Sequence, residues 1–303
     1  MIPAILACLL WSTAFVGIKI GLRYNQPISF AGIRFLASGL LIMPFMGSLS
    51  HSLAELRRYW RFILEIALLQ TFLVYLFFFV GMTMVPGALG AVIIGASPLI
   101  TALITHFSDP HDRLTIGKTI SLIIGLTGVA LITLSRQPWT SGDTASFWGI
   151  IILLISTTFG AVANVVVARS THRISPLVLN AMQLFIGGLA LLLVSIPLEG
   201  WPRWRLPLEY YLALGWLVML SAVAFSIWFR LLRVPGIHVS ELNLWKFIVP
   251  VFGGLLSWII LPDEHPDWIT LIGMLSVAAS IATFNLCLIR SECQLTEEEI
   301  FKL

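Results

Sequence analysis

Residues 238–247, His-Val-Ser-Glu-Leu-Asn-Leu-Trp-Lys-Phe, place a hydroxyl, a carboxylate, an amide and an ammonium group inside an otherwise strongly apolar chain. On a helix, Ser240, Asn243, Lys246 and Pro250 recur at spacings of three and four and so share one face. Lys246 offers a fixed positive charge to an anionic group of a ligand. Glu241 lies about 140° around such a helix from Lys246, too far for an intrahelical salt bridge. It reads either as a proton or cation site or as a structural ion held by neighbouring helices.

Other residues of the same kind are scattered along the chain. Arg34 can bind a carboxylate bidentately or hold backbone carbonyls. Trp11 and Phe15 stand one helical turn apart, as do Tyr75 and Phe79, and Trp228 and Trp245 occur deep in later apolar segments. Such rings stack on a substrate, close a gate or simply pack. Pro98 and Pro250 each interrupt an apolar helix, where they withdraw the hydrogen bond from the carbonyls of Ile94 and Lys246. Inside a membrane, backbone freed in this way is tolerated where protein or cavity water satisfies it. These thirteen residues are the expected substrate contacts.

Other polar groups read as ordinary. His106, Asp109, His111, Asp112 and Arg113 lack metal-ligand spacing and read as a solvated loop. Cys8, Cys287 and Cys293 have neither paired spacing nor histidine partners, and read as packing residues. Trp139, Trp201 and Trp204 fit an interfacial belt. The Glu297-Glu298-Glu299 run reads as a short acidic tail. No cofactor or metal is expected, and no nucleotide-hydrolysing motif appears, so any energy input comes from gradients.

The elements that carry these groups follow from composition. Hydrophobic residues form 58% of the 303, charged residues only 11%, and mean hydropathy is +0.95. A soluble domain carries about 25% charged residues, so the solvent is lipid. Basic residues lie scattered beside apolar segments, which excludes nucleic acid as a partner. Breaks at proline, glycine and charge clusters give spans at 2–22, 28–47, 62–84, 87–107, 114–134, 148–168, 177–198, 209–229, 236–260 and 268–289. The first has no basic leader region and runs to Leu22, so it reads as a retained helix rather than a signal peptide.

With the N-terminus inside, Arg57, Arg58, Arg61, Arg113, Lys118, Arg169, Arg173, Arg230, Arg233, Arg290 and Lys302 face the cytoplasm. Lys19, Arg23, Arg136, Arg203 and Arg205 face outward. This bias places both termini in the cytoplasm of a cell-membrane protein.

An offset of 149 pairs Pro27 with Pro176, Arg34 with Gln183, Gly39 with Gly188, and Val85-Pro86-Gly87 with Val234-Pro235-Gly236. After a three-residue insertion, an offset of 152 pairs Pro98 with Pro250 and Asp112 with Glu264. The chain therefore reads as a duplication, 1–136 and 147–290, followed by a cytoplasmic tail, 291–303. Five spans per half is an odd number, so the halves insert oppositely. The expected fold is an all-α integral membrane protein of ten transmembrane helices in two inverted five-helix repeats, with the substrate site between them. Small residues at Gly17 and Gly21, and at Gly117, Ser121 and Gly125, read as close helix packing.

Several segments resemble the EamA family of the drug/metabolite transporter superfamily. They are Trp11-Ser12-Thr13-Ala14-Phe15 with Lys19, Arg34-Phe35, Ser97-Pro98-Leu99, and Pro250-Val251-Phe252 leading to Glu264. The resemblance covers nearly the whole chain as two repeats. It implies a central cavity lined by the first, third, fourth, sixth, eighth and ninth helices. It also implies export or exchange of small molecules such as amino acids, by bacterial inner-membrane proteins. The first half departs from the family's Gly-Glu-Arg with His111-Asp112-Arg113, which is expected to alter loop structure rather than transport.

The reading is a secondary transporter, not an enzyme, working by alternating access on a small-molecule substrate, with proton coupling through Glu241 as a hypothesis. A flippase for lipids or drug-like cations would want an acid-bearing cavity in place of Lys246. An intramembrane enzyme would want paired acids or histidines near one interface.

Overall fold

The computed structural model describes residues 2–82, 84, 93, 95, 97–110, 112–134, 144–203, 205–260 and 268–300. Val85-Pro86-Gly87, His111, Arg136, Trp139, Trp204 and Glu264 lie outside the described residues. So do the side chains of Phe15, Lys19, Pro250, Cys287 and Cys293, and those of the acidic tail.

Every described element is helical. The order is α1 Ile2–Gly21, α2 Pro27–Ile42, α3 Leu49–Ile66, α4 Val74–Met82, α5 Ser97–Ser108, α6 Ile116–Leu134 and α7 Thr144–Arg169. Then follow α8 Pro176–Glu199, α9 Leu208–Leu232, α10 Val239–Leu244, α11 Ile248–Ile260 and α12 Trp268–Ile300. Five stretches are long and apolar enough to cross a membrane: Pro27–Phe45, Leu49–Met82, Phe147–Arg169, Pro176–Glu199 and Leu208–Leu232. Ile2–Ile18, Ile116–Leu131 and Leu271–Phe284 form shorter apolar helices.

Two expected spans differ in form. The third begins earlier, at Leu49, because the Arg-rich segment 57–61 continues the helix beyond its apolar part. It carries a π-helical stretch, Ala67–Leu73, between α3 and α4. The ninth is broken by a 3₁₀ turn, Trp245–Phe247, between α10 and α11. Pro250 cannot donate to the Lys246 carbonyl, and the helix tightens in the turn just before it. The last helix also runs on past the expected end at 289 to Ile300.

Helices α2 and α8, and α6 and α12, form the two most extensive pairs among the described residues. Helix α1 packs on α9 and α11, α4 on α7, α5 on α7 and α10, and the π-helical stretch on α8. The α2·α8 contact is close because it is built on glycine. A methyl group at Gly39 would stand 2.6 Å from the Phe185 nitrogen, and one at Gly188 would stand 2.3 Å from the Leu36 nitrogen. The α6·α12 pair repeats the pattern at Gly125 and Gly128, where the Ser280 hydroxyl and the Gly273 carbonyl come within 2.7 and 2.6 Å of such a methyl. Without a hydrophobic drive between helices in lipid, backbone approach of this kind is what dispersion packing requires.

Carboxylates fasten both ends of the α2·α8 pair. Glu199 accepts hydrogen bonds from the Ile28 and Ser29 N–H groups at 2.8 Å each. Glu55 accepts from Ser175 N–H, just before α8, at 3.2 Å. Both satisfy the free donors of a helix N-terminus, where negative charge is favoured. Glu199→Ala is expected to lower stability by about 1–2 kcal/mol, read as a fall in the unfolding midpoint of the detergent-solubilised protein.

Candidate functional site

Two polar groups of the broken ninth span, Asn243 and Lys246, converge on α7 and α9 of their own half and on α1 of the other. Lys246 sits about 11 Å along the helix from Val239, in the 3₁₀ turn, with its ammonium 4.7 Å from the Trp228 ring centre and 5.9 Å from that of Trp11. Trp11 and Trp228 face each other at 5.0 Å. A half-buried ammonium over a tryptophan face gains about 1–2 kcal/mol, which offsets part of the cost of placing a lysine at this depth. Among the described residues no carboxylate lies within ion-pair distance of Lys246, and the buried Cys8 thiol is its electrostatic neighbour.

An amide relay holds the tryptophan in place. Trp228 Nε1–H donates to Asn164 Oδ1 at 3.2 Å, Asn164 Nδ2 donates to Asn243 Oδ1 at 3.1 Å, and Asn243 Nδ2 donates to the Val239 carbonyl at 2.9 Å. All three side chains are buried. Helices α7, α9 and α10 are thus locked together behind the ring that Lys246 rests on.

A second cation lies along the same aromatic row. Trp11 meets Phe225 at 5.4 Å, Phe225 meets Phe35 at 6.5 Å, and Phe35 meets Tyr75 at 4.3 Å. The Arg34 guanidinium stands 4.8 Å from the Phe35 ring centre, and its Nε–H donates to the Ser221 hydroxyl at 2.9 Å. That bond engages one of five guanidinium N–H donors, and the Nη groups have no hydrogen-bond partner among the described residues. The repeat mate of Arg34, Gln183, is also buried and hydrogen-bonded between helices. It accepts from the Thr71 hydroxyl and donates to Asn180 at 3.0 Å.

Of the expected contacts, the structure therefore brings together Trp11, Trp228, Asn243 and Lys246, with Arg34 and Tyr75 further along the row. Phe79 is buried in the apolar cluster that also holds Phe35 and Phe225. Trp245 packs against the cluster around Trp228. Pro98 is buried on α5, and Glu241 is buried and engaged in the first turn of α10.

Ser240 turns away from this group. Its hydroxyl and N–H both bind the Asp112 carboxylate, the N–H at 2.9 Å, and Lys118 Nζ reaches Asp112 at 2.7 Å and Ser240 Oγ at 3.2 Å. Asp112 is 1% exposed. The expectation of a solvated loop is thus corrected at this residue: the carboxylate caps α10 and ties it to α6. Burial alone would raise its pKa, but the hydrogen bonds from Lys118 and Ser240 outweigh burial and hold it below the ordinary carboxylate value. His106 serves the same loop, its Nδ1 accepting from Leu114 N–H at 3.1 Å. Beside this latch a cavity of about 260 Å³ opens among Asp109, Arg169, Arg233 and His238, and Lys246 is not part of its lining.

Residues of these clusters that were not among the expected contacts include Asn164, Ser221, Asp112 and Lys118. Asn164 is the lone amide of a 26-residue apolar helix, and polar groups at such positions are costly enough to signal a partner. Asp112 shares its repeat position with another acid, Glu264, which is the signal that distinguishes it from its loop neighbours.

The comparisons agree with this architecture. A chain of known crystal structure superposes with a TM-score of 0.81 at 19% identity, covering 96% of this chain and 98% of that one, which establishes a shared fold. The uncharacterized transporter YvbV of Bacillus subtilis is 26% identical over 288 residues, 91% of this chain and 88% of its own. The uncharacterized inner membrane transporter YedA of Escherichia coli is 27% identical over 261 residues, 82% of this chain and 78% of its own. The model of the EamA-like transporter family matches residues 1–134 and 147–286. The chain belongs to the EamA-like transporter family and is a multi-pass membrane transporter.

Proposed function

We propose that the protein is a secondary transporter that exports or exchanges small metabolites, amino acids among them, by alternating access between inverted repeats 1–136 and 147–290. Both termini are cytoplasmic in this reading, and the site contains Lys246, Trp11, Trp228 and Asn243. The observation that carries it is the Lys246 ammonium at membrane depth, resting on rings from α1 and α9 at the break in the ninth span. A cation with no carboxylate at ion-pair distance among the described residues suits a ligand that brings its own negative group.

The helix pairing supports the two-fold arrangement. Offset 149 relates Gly39 to Gly188 and Leu36 to Phe185, so the Gly39 contact with Phe185 and the Gly188 contact with Leu36 are the same contact seen from either half. Offset 152 relates Ser121 to Gly273, Gly125 to Val277 and Gly128 to Ser280. The Ser280 hydroxyl donates to the Ser121 carbonyl at 2.5 Å while Gly128 meets the Gly273 carbonyl. A surface that contacts its own copy through exchanged residues is what a two-fold axis produces. With five helices per half, that axis lies in the membrane plane.

In this reading the α10–α11 break is where the ninth helix bends as access alternates, and Glu241 is the acid proposed for proton coupling. Lys246→Met tests the site in proteoliposomes. Transport of substrates with an anionic group is expected to fall by at least about tenfold. Unchanged transport of every substrate would remove Lys246 from the site.

A further inference from the structure

We infer that the substrates are organic anions, a single negative group on a planar apolar body, and that the aromatic row between Lys246 and Arg34 is their path. The inference rests on the transporter reading above and narrows it, setting amino acids aside because each carries an ammonium group that the two cations repel.

Charge is the first argument. Arg34 is buried and Lys246 half-buried between helices, and no carboxylate lies within ion-pair distance of either among the described residues. Among the described residues, the titratable groups beside them are the Cys8 thiol and the Tyr75 phenol, side chains that are ordinarily neutral at pH 7. The buried carboxylate nearest in sequence, Glu241, is already engaged, and helical spacing sets it about 140° around from Lys246. Two cations in a low-dielectric interior favour an anion and repel an ammonium group.

Shape is the second argument. The two cations are joined by rings in a continuous row, Trp228, Trp11, Phe225, Phe35 and Tyr75, with consecutive centres 4.3–6.5 Å apart. Phe35, Phe225 and Trp228 are buried against their neighbours, so a flat apolar body stacks on them as the helices part. Asn243 and Asn164 are occupied with Trp228 and each other, so they hold the ring rather than read the ligand. The Arg34 Nη donors supply the bidentate geometry that suits a carboxylate or sulfonate. Arg34 lies about 10 Å along α2 from Pro27 and Lys246 about 11 Å along the ninth span from Val239, so both anchors stand at depth.

Three permanently charged or zwitterionic probes of similar ring size test this: benzenesulfonate, phenylalanine and benzyltrimethylammonium. Binding is read from the tryptophan fluorescence of the purified protein, and uptake from proteoliposomes, alongside a broad metabolite panel. Benzenesulfonate is expected to bind and to enter at least about tenfold faster than the other two, with Lys246→Met abolishing the preference. Arg34→Gln, which copies its repeat mate, is expected to weaken it and leave folding intact. If phenylalanine or benzyltrimethylammonium is transported as well as the anion, the charge inference is overturned while the transporter reading survives. If only other members of the panel are transported, the planar-anion inference is likewise overturned. If no probe and no panel solute crosses faster than in empty vesicles, both readings fall.

Discussion

Asp112→Asn is expected to lower the unfolding free energy by about 3 kcal/mol or more, an effect large beside the 0.5–3 kcal/mol typical of single substitutions. The variant keeps the shape of the side chain but strips the charge from a group that takes hydrogen bonds from Lys118 and from the hydroxyl and N–H of Ser240. Lys118, 9% exposed, is left without its counter-ion. Removing both ions is expected to cost less than removing one, so Asp112→Asn with Lys118→Met should recover part of the loss. The unfolding midpoint in detergent reads both variants. If the double variant is as unstable as the sum of the two single changes, the pair is not coupled.

The same carboxylate sets a pH expectation. Its pKa in the folded protein lies below the ordinary value. Its stabilisation is therefore complete above the unfolded pKa of about 4 and is lost only as pH falls through the lower folded value. From pH 8 down to pH 5 the latch is expected to hold unchanged. A midpoint that falls steadily over that interval, and does so less in Asp112→Asn, would contradict the assigned pairing.

The second large effect is expected at the glycines of α2 and α8. Gly188→Val places a Cβ 2.3 Å from the Leu36 nitrogen, and Gly39→Val places one 2.6 Å from the Phe185 nitrogen and 2.7 Å from the Ala181 carbonyl. The obstacles are backbone atoms of a packed helix and cannot swing aside. Each variant should lose about 3 kcal/mol or more, seen as loss of folded protein in gel filtration after detergent extraction. The two should be affected alike, because they probe one contact from its two sides. Gly215, on α9, has nothing within 4 Å of an added methyl, and Gly215→Ala should be neutral or stabilising by up to about 1 kcal/mol. If Gly215→Ala proves as damaging as the other two, helix glycines matter here for a reason other than contact.

Part of the candidate site was legible because charge is conspicuous in a hydrophobic chain. Lys246 and Arg34 announce themselves by cost alone, and Pro250 marks a discontinuity that the structure shows at Trp245–Phe247. The partners of those groups were not legible. Asn164 meets Asn243 across 79 residues and Asp112 meets Ser240 across 128, and helical periodicity describes faces within one element only. The shared face of Ser240, Asn243 and Lys246 was a correct local statement that misled about destination. Ser240 stands at the helix start, where its free N–H takes a capping acid, while Asn243 meets Asn164 and Lys246 reaches the tryptophans. The π-helical stretch Ala67–Leu73 has no compositional signature. The acid at 112 resembles any loop aspartate until its fold neighbours are known.

Uptake of a metabolite panel by proteoliposomes, with and without an imposed pH gradient, tests the central claim most directly. The account predicts saturable uptake of at least one solute above empty vesicles, reduced by at least about tenfold in Lys246→Met. Absence of uptake for every solute, with a lipid-modifying activity in the same vesicles, would contradict it.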